Sequence, residues 1–312
     1  MGNCWKARKS GDSKKYEEED IPTLRPDGIQ LPCDDFITGL QKGVEDDIWI
    51  LGQEFLISIY KEWAIFRSWE TQERVKTLCS KDGIVACGGK SIEIFNENGN
   101  SIGKLLGHER PVNALALSNN LAISGSGDWS LRLWDLNSQQ EIDKNIINWN
   151  VITSVKWVPQ EPLVIQTSED LRLRIWDLRE RKILRSSVIS VGDNFATCCD
   201  VKGDYIVTGH RGFDSQGCEA KIWDRRKNEE LKTLKGHEQA VESVKFIGDT
   251  IFSCGKDGKI NQFRLDGDLI DTWTNPLPKP LVSMELYKSG ILIANIDPKV
   301  MYFTINPLFK AL

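Results

Sequence analysis

The chain has 312 residues, 40% of them hydrophobic and 27% charged, proportions close to the globular average, so it can bury a sizeable core and disorder is not the default. A net charge of −5 argues against a general nucleic-acid binder, whose affinity comes mainly from Lys and Arg neutralising phosphates. The eight cysteines form no CxxC pair, the three histidines are too scattered for a zinc signature, and no stretch reaches the 18 consecutive apolar residues of a membrane span. With no secretory apolar stretch near the start, a reducing compartment and a soluble or peripherally attached protein are expected, with no metal, cofactor, nucleic acid or small-molecule substrate.

Residues 1–20 read as a tail. MGNCWKARKSGDSKK carries Gly2, Cys4 and five basic residues (Lys6, Arg8, Lys9, Lys14, Lys15) against the single acid Asp12. This pattern reads as an acylation signal: myristate on Gly2, palmitate on Cys4 and a polybasic patch against anionic lipid. One myristoyl chain holds a bilayer only marginally, and here a second signal is adjacent. Lys6 departs from the usual Ser or Thr at that position. The acidic run Glu17–Asp20 follows, and 21–312 is expected to form one domain.

Within that domain a phrase recurs: SGSGDWSLRLWD ending at Asp135, QTSEDLRLRIWD ending at Asp177 and EAKIWD ending at Asp224. Trp134, Trp176 and Trp223 are 42 and 47 residues apart, and Phe263 follows 40 later with an Asp six positions before it. A period of about 40–45 residues with four short strands per unit marks propeller blades. In chain order the units fall at 33–69, 73–106, 110–144, 151–185, 194–234, 239–274 and 280–306, the first and last degenerate. The seventh lacks an outer strand, and Ile21–Leu31 is expected to return and supply it, closing the ring, although Pro22, Pro26 and Pro32 shorten any strand there. The predicted fold is therefore an all-β, seven-bladed propeller. Cys79, Cys87, Cys198 and Cys254 lie in apolar runs and read as small buried hydrophobes.

In unit three His108, Ser124, Asp128 and Trp134 are types that can form a hydrogen-bond chain, since an indole N–H only donates, a hydroxyl and a neutral imidazole do both, and a carboxylate accepts. Unit six repeats His237, Ser253 and Asp257 but has Phe263, so its chain must stop at Ser253. Unit four keeps Asp170 and Trp176, with Gln166 in place of the hydroxyl, and unit five keeps Trp223. A hydrolytic reading of His108, Ser124 and Asp128 fails because the set recurs and is embedded in a strand phrase. GIVACGGKS (Gly83–Ser91) misses phosphate-loop spacing by one residue and leads into SIEIF, a strand, so it reads as a hairpin. No enzyme is expected.

These residues resemble the WD-repeat family over roughly 33–306. WVPQEPLVIQTSEDLRLRIWDLR (Trp157–Arg179) and GFDSQGCEAKIWDRR (Gly212–Arg226) are similar to one subgroup of it whose members also start Met-Gly. The resemblance implies the buried chain described above and a eukaryotic, cilium-associated protein acting with GTPase-activating regulators of Arf-like small GTPases. It also implies a face shared by the turns between second and third strands and the links between blades. The partner-binding candidates there are Arg110, Trp129, Trp149, Arg211 and Phe213, because aromatic residues and Arg dominate interface energetics and the HRGFDSQGC turn is longer than closure requires. The leading expectation is a membrane-associated adaptor. The alternative is a structural subunit of a ciliary or cytoplasmic assembly without a lipid anchor.

Overall fold

A computed structural model describes residues 26–32, 35–61, 63–147, 150–212, 216–276, 279–296 and 299–305, with the backbone alone at 26–30 and 32. The acylation signal at Gly2 and Cys4 lies outside them. Seven four-stranded antiparallel sheets follow one another along the chain. Blade three shows the pattern, with Val112–Ser118, Leu121–Ser126, Ser130–Asp135 and Gln140–Ile146 running from the central channel outward. Blade four extends further than expected, because its outermost strand is Leu184–Ser190 rather than ending at 185. Gly83–Ser91 contributes a strand and the turn of a hairpin, Ile84–Gly88 pairing antiparallel with the strand that starts at Ile92.

Blade seven takes its outermost strand from the start of the described chain. Pro26–Pro32 pairs antiparallel with Lys299–Thr304, Pro32 opposite Lys299 and Pro26 opposite Phe303. The pairing slips between Pro26 and Gln30, as expected where proline removes a ladder donor. The expected closure therefore forms, and residues 21–25 of the proposed closing segment lie outside the described residues.

The core is distributed among the interfaces. Seven apolar clusters each join two neighbouring blades, as Ile123, Leu131 and Leu133 of blade three do with Val164 and Trp176 of blade four. Each blade thus buries both faces, which is why its strands alternate only partly. Second-strand glycines allow the next blade to approach: a Cβ on Gly125 would stand 2.2 Å from Ile152 Cγ2, and one on Gly209 would stand 2.6 Å from Val241 Cγ1. The junction of degenerate blades seven and one is aromatic instead. Trp49 stacks on Tyr60 at 4.1 Å, Trp63 meets Tyr287 edge-on at 5.5 Å, and Tyr287 Oη donates to the Asp47 carbonyl at 3.0 Å.

Candidate interaction face

The turns between second and third strands, and the links from one blade to the next, lie on one face, and hydrogen bonds fasten each turn to its link. In blade three Trp134 Nε1 donates to Ser124 Oγ at 2.8 Å, and His108 Nε2 lies 2.7 Å from the same oxygen. His108 Nδ1 lies 2.9 Å from Asp128 Oδ2, which also accepts from the Glu109 amide at 3.0 Å. Since the carboxylate can only accept, Nδ1 carries the proton, Ser124 donates to Nε2, and the chain runs one way from indole to carboxylate. Burial on its own would push the Asp128 carboxyl up. The bonds from His108 and Ser130 outweigh it and hold the group well below the usual carboxylate range. Ser124 is fully buried with its hydroxyl committed to Trp134 and His108, so it does not face an open site as a nucleophile would.

The other blades vary this chain. In blade six His237 Nε2 reaches Ser253 Oγ at 2.8 Å and Nδ1 reaches Asp257 at 3.0 Å, and the chain stops at Ser253 because Phe263 offers no donor. In blade four Trp176 Nε1 donates to Gln166 Oε1 at 3.4 Å while Gln166 Nε2 has no partner. Asp170 there is held by the buried guanidinium of Arg174 rather than by an imidazole. In blade five Trp223 Nε1 donates to Thr208 Oγ1 at 2.8 Å, the hydroxyl meets His210 Nε2 at 2.8 Å, and His210 Nδ1 donates to the Asn194 carbonyl at 2.8 Å.

Thr208, His210 and Arg174 escaped the sequence reading. His210 stands within the strand Tyr205–His210, at the register position of Ser126, not in the link where the other two histidines sit. Arg174 had a visible counterpart in Arg132, four residues after the turn Asp in both blades.

Burial lowers the His210 pKa to about 4, with the Asn194 carbonyl opposing and Lys221 assisting. The unfolded imidazole, near 6.5, therefore binds more protons than the folded one between these values, so this contribution is present above about pH 6.5 and is lost as pH falls toward 4. Acidification from pH 7 to 4 should cost up to about 3 kcal/mol through this group. Urea midpoints of wild type and His210→Gln across that range check it, the variant showing the flatter dependence.

The candidate contact residues are partly brought together. The Arg110 guanidinium lies 5.3 Å from the Trp129 ring centroid, so link and turn of blade three present one cation–aromatic unit. Trp129 is half-buried at φ 67°, a left-handed conformation that Leu171 (φ 62°) shares in blade four and that Gly258 (φ 73°) takes in blade six. A bulky side chain where the turn favours glycine costs roughly 1–2 kcal/mol, and such outliers concentrate at functional sites. Arg211 is exposed two blades away, beside a cavity of about 320 Å³ that it shares with Glu238 and Lys256. Trp149 and Phe213 lie outside the described residues. Sequence reasoning missed Phe36 and Phe55, 55% and 48% exposed on blade one at the same face. Unit one has lost the phrase that would have located its turn.

The cysteine expectation needs one correction. Cys87 and Cys254 are buried, but Cys79 and Cys198 are half-buried because their strands line the channel. Burial still pushes the Cys87 and Cys198 thiols up to about 12.

The WD domain, G-beta repeat family matches residues 99–135 and 228–264, segments that end in the third strands of blades three and six. Among curated proteins, Gem-associated protein 5 of Homo sapiens is 22% identical over 149 residues, 46% of this chain and 10% of that protein. The chain thus spans about a tenth of the length of that relative. Among solved structures, the WD40 β-propeller domain of Doa1 superimposes with a TM-score of 0.76 at 17% identity, covering 91% of this chain and 97% of that one. The computationally designed Ika8 protein gives 0.69 at 18% identity, covering 88% and 98%. These likenesses support the fold, a seven-bladed β-propeller in which blades three and six carry WD repeats.

Proposed function

We propose that this WD-repeat propeller is a membrane-associated adaptor whose turn-bearing face receives a protein partner while an acylated tail holds it on a cytosolic membrane. The observation that carries the reading is the Arg110–Trp129 unit, a large aromatic held at positive φ and capped by an exposed guanidinium. Direction of entry supports it. Pro32 pairs with Lys299 at the turn-bearing end of its blade, so Pro26, toward the tail, lies at the opposite face. Entry on that side is compatible with Trp129 facing away from a bilayer that an acylated Gly2 would hold.

The similarity of Trp157–Arg179 and Gly212–Arg226 to WD repeat-containing protein 31 supports a finer reading: work at a cilium or ciliary base with GTPase-activating regulators of Arf-like small GTPases. The second reading, a structural subunit without a lipid anchor, draws on the outermost strand of blade one, Ala64–Glu70, which leaves Ile65 and Phe66 exposed, 60% and 54%.

Trp129→Gly separates stability from binding, because glycine takes the left-handed turn without strain. Its unfolding midpoint should stay within about 1 kcal/mol of wild type, while affinity enrichment of partners from ciliated cells should fall at least ten-fold. Undiminished enrichment with both Trp129→Gly and Arg110→Ala would contradict the assignment of this face.

A further inference from the structure

The seven inner strands place one residue each at a common level of the channel, fixed by equivalent pairings to their second strands. Blades five to seven put Asp200, Lys245 and Glu285 there, and these compensate one another. Lys245 Nζ lies 2.8 Å from Glu285 Oε2, and Asp200 accepts from the Phe246 amide at 2.9 Å beside the same ammonium. Blade four contributes Lys156, which faces Gln41 and Cys79 of blades one and two. Among the described residues no carboxylate lies within salt-bridge distance of Lys156, or of Lys81 at the end of its own strand.

Both lysines line a cavity of about 240 Å³ at the channel mouth opposite the turn-bearing face. Its other polar side chains include Gln41, Ser118 and Gln160, which can donate, and no carboxylate lines it. A half-buried Lys156 ammonium with no carboxylate in salt-bridge reach, set at this mouth among donors, favours an anion.

We propose that this mouth is a carboxylate-binding site and that its occupant is the chain's own acidic run Glu17–Asp20. The run has four consecutive carboxylates, and the chain enters the fold at Pro26 on the same face. The run lies six to nine positions before Pro26, an extended reach of roughly 20–32 Å at about 3.3–3.6 Å per residue. Crossing blade seven from outermost to inner strand takes three strand spacings, about 14 Å, which leaves roughly 6–18 Å of extended chain for the mouth itself, the N-terminal end of the run reaching furthest toward Lys156. The proposal does not depend on acylation of Gly2.

Full-length protein made in bacteria, where no acylation occurs, is treated with a carbodiimide that couples carboxylates to amines without a spacer, and the monomer fraction is digested for mass spectrometry. Links from Lys156 or Lys81 to Glu17–Asp20 are expected. Their absence, while the Lys202–Asp249 pair at 2.8 Å couples as a control, overturns the proposal, and links found only between separate molecules overturn the assignment to the chain's own run. In a variant with Glu17–Asp20 changed to the matching amides, a synthetic peptide of residues 15–22 should bind, followed through Trp157 at the cavity wall. Lys156→Gln should weaken that binding at least ten-fold, and equal binding to both proteins contradicts the site.

Discussion

Trp134→Ala should destabilise the protein by about 3–5 kcal/mol, the range for truncating a buried aromatic. The indole is 1% exposed and packs into the cluster that joins blades two and three. It also donates to Ser124, so truncation leaves a cavity and withdraws a donor from a buried hydroxyl that is then satisfied only by His108. Denaturant midpoints at neutral pH measure the effect. Trp134→Phe separates the two causes, since it keeps most of the volume and loses only the donor. Blade six already lives with that arrangement at Phe263, so the phenylalanine variant should cost about 1–2 kcal/mol. An unchanged midpoint for the alanine variant would contradict the placement of this core.

Asp170→Ala should cost a comparable 3–5 kcal/mol, for an electrostatic reason. The Asp170 and Arg174 side chains are 6% and 4% exposed, and the guanidinium is shared between the carboxylate and Ser168 Oγ at 3.1 Å. Removing the acid strands a buried positive charge. Replacing both partners removes the penalty along with the pair, so Asp170→Ala combined with Arg174→Met should recover most of the loss. If the double variant is as unstable as the single one, the cost lies in the packing of the turn, and the ion pair is not what holds blade four at this point.

The residues behind the first prediction were legible in the sequence, and the guanidinium behind the second was not. Trp134, Asp128, Ser124 and His108 could be read because their spacing repeats: a buried donor, a hydroxyl and a carboxylate must recur at fixed offsets if each blade is built alike. His237 and Ser253 followed by the same logic, and Phe263 showed where the chain would end. Arg174 and His210 were obscured because they meet the same need by other chemistry. A guanidinium replaces an imidazole in blade four, and in blade five an imidazole arrives from inside a strand. Offsets cannot reveal a substitution that changes both the residue type and the element supplying it.

Blade one was obscured for the opposite reason. It keeps the β-strand pattern but has lost the phrase, and its interface with blade seven relies on Trp49, Tyr60, Trp63 and Tyr287, a packing solution with no spacing rule. The exposed Phe36 and Phe55 went unnoticed with it. The channel charges were also invisible in one dimension, because Lys156, Asp200, Lys245 and Glu285 come from four blades and share a level only once the ring has closed.

The adaptor account is tested most directly by fractionating membranes from eukaryotic cells expressing wild type, Gly2→Ala and Trp129→Gly. It predicts that wild type and Trp129→Gly pellet with membranes, that Gly2→Ala stays soluble, and that only wild type brings its partner into the pellet. If Gly2→Ala pellets as wild type does, or if wild type stays soluble, the tail is not the anchor and the propeller belongs to an assembly held together by its faces alone.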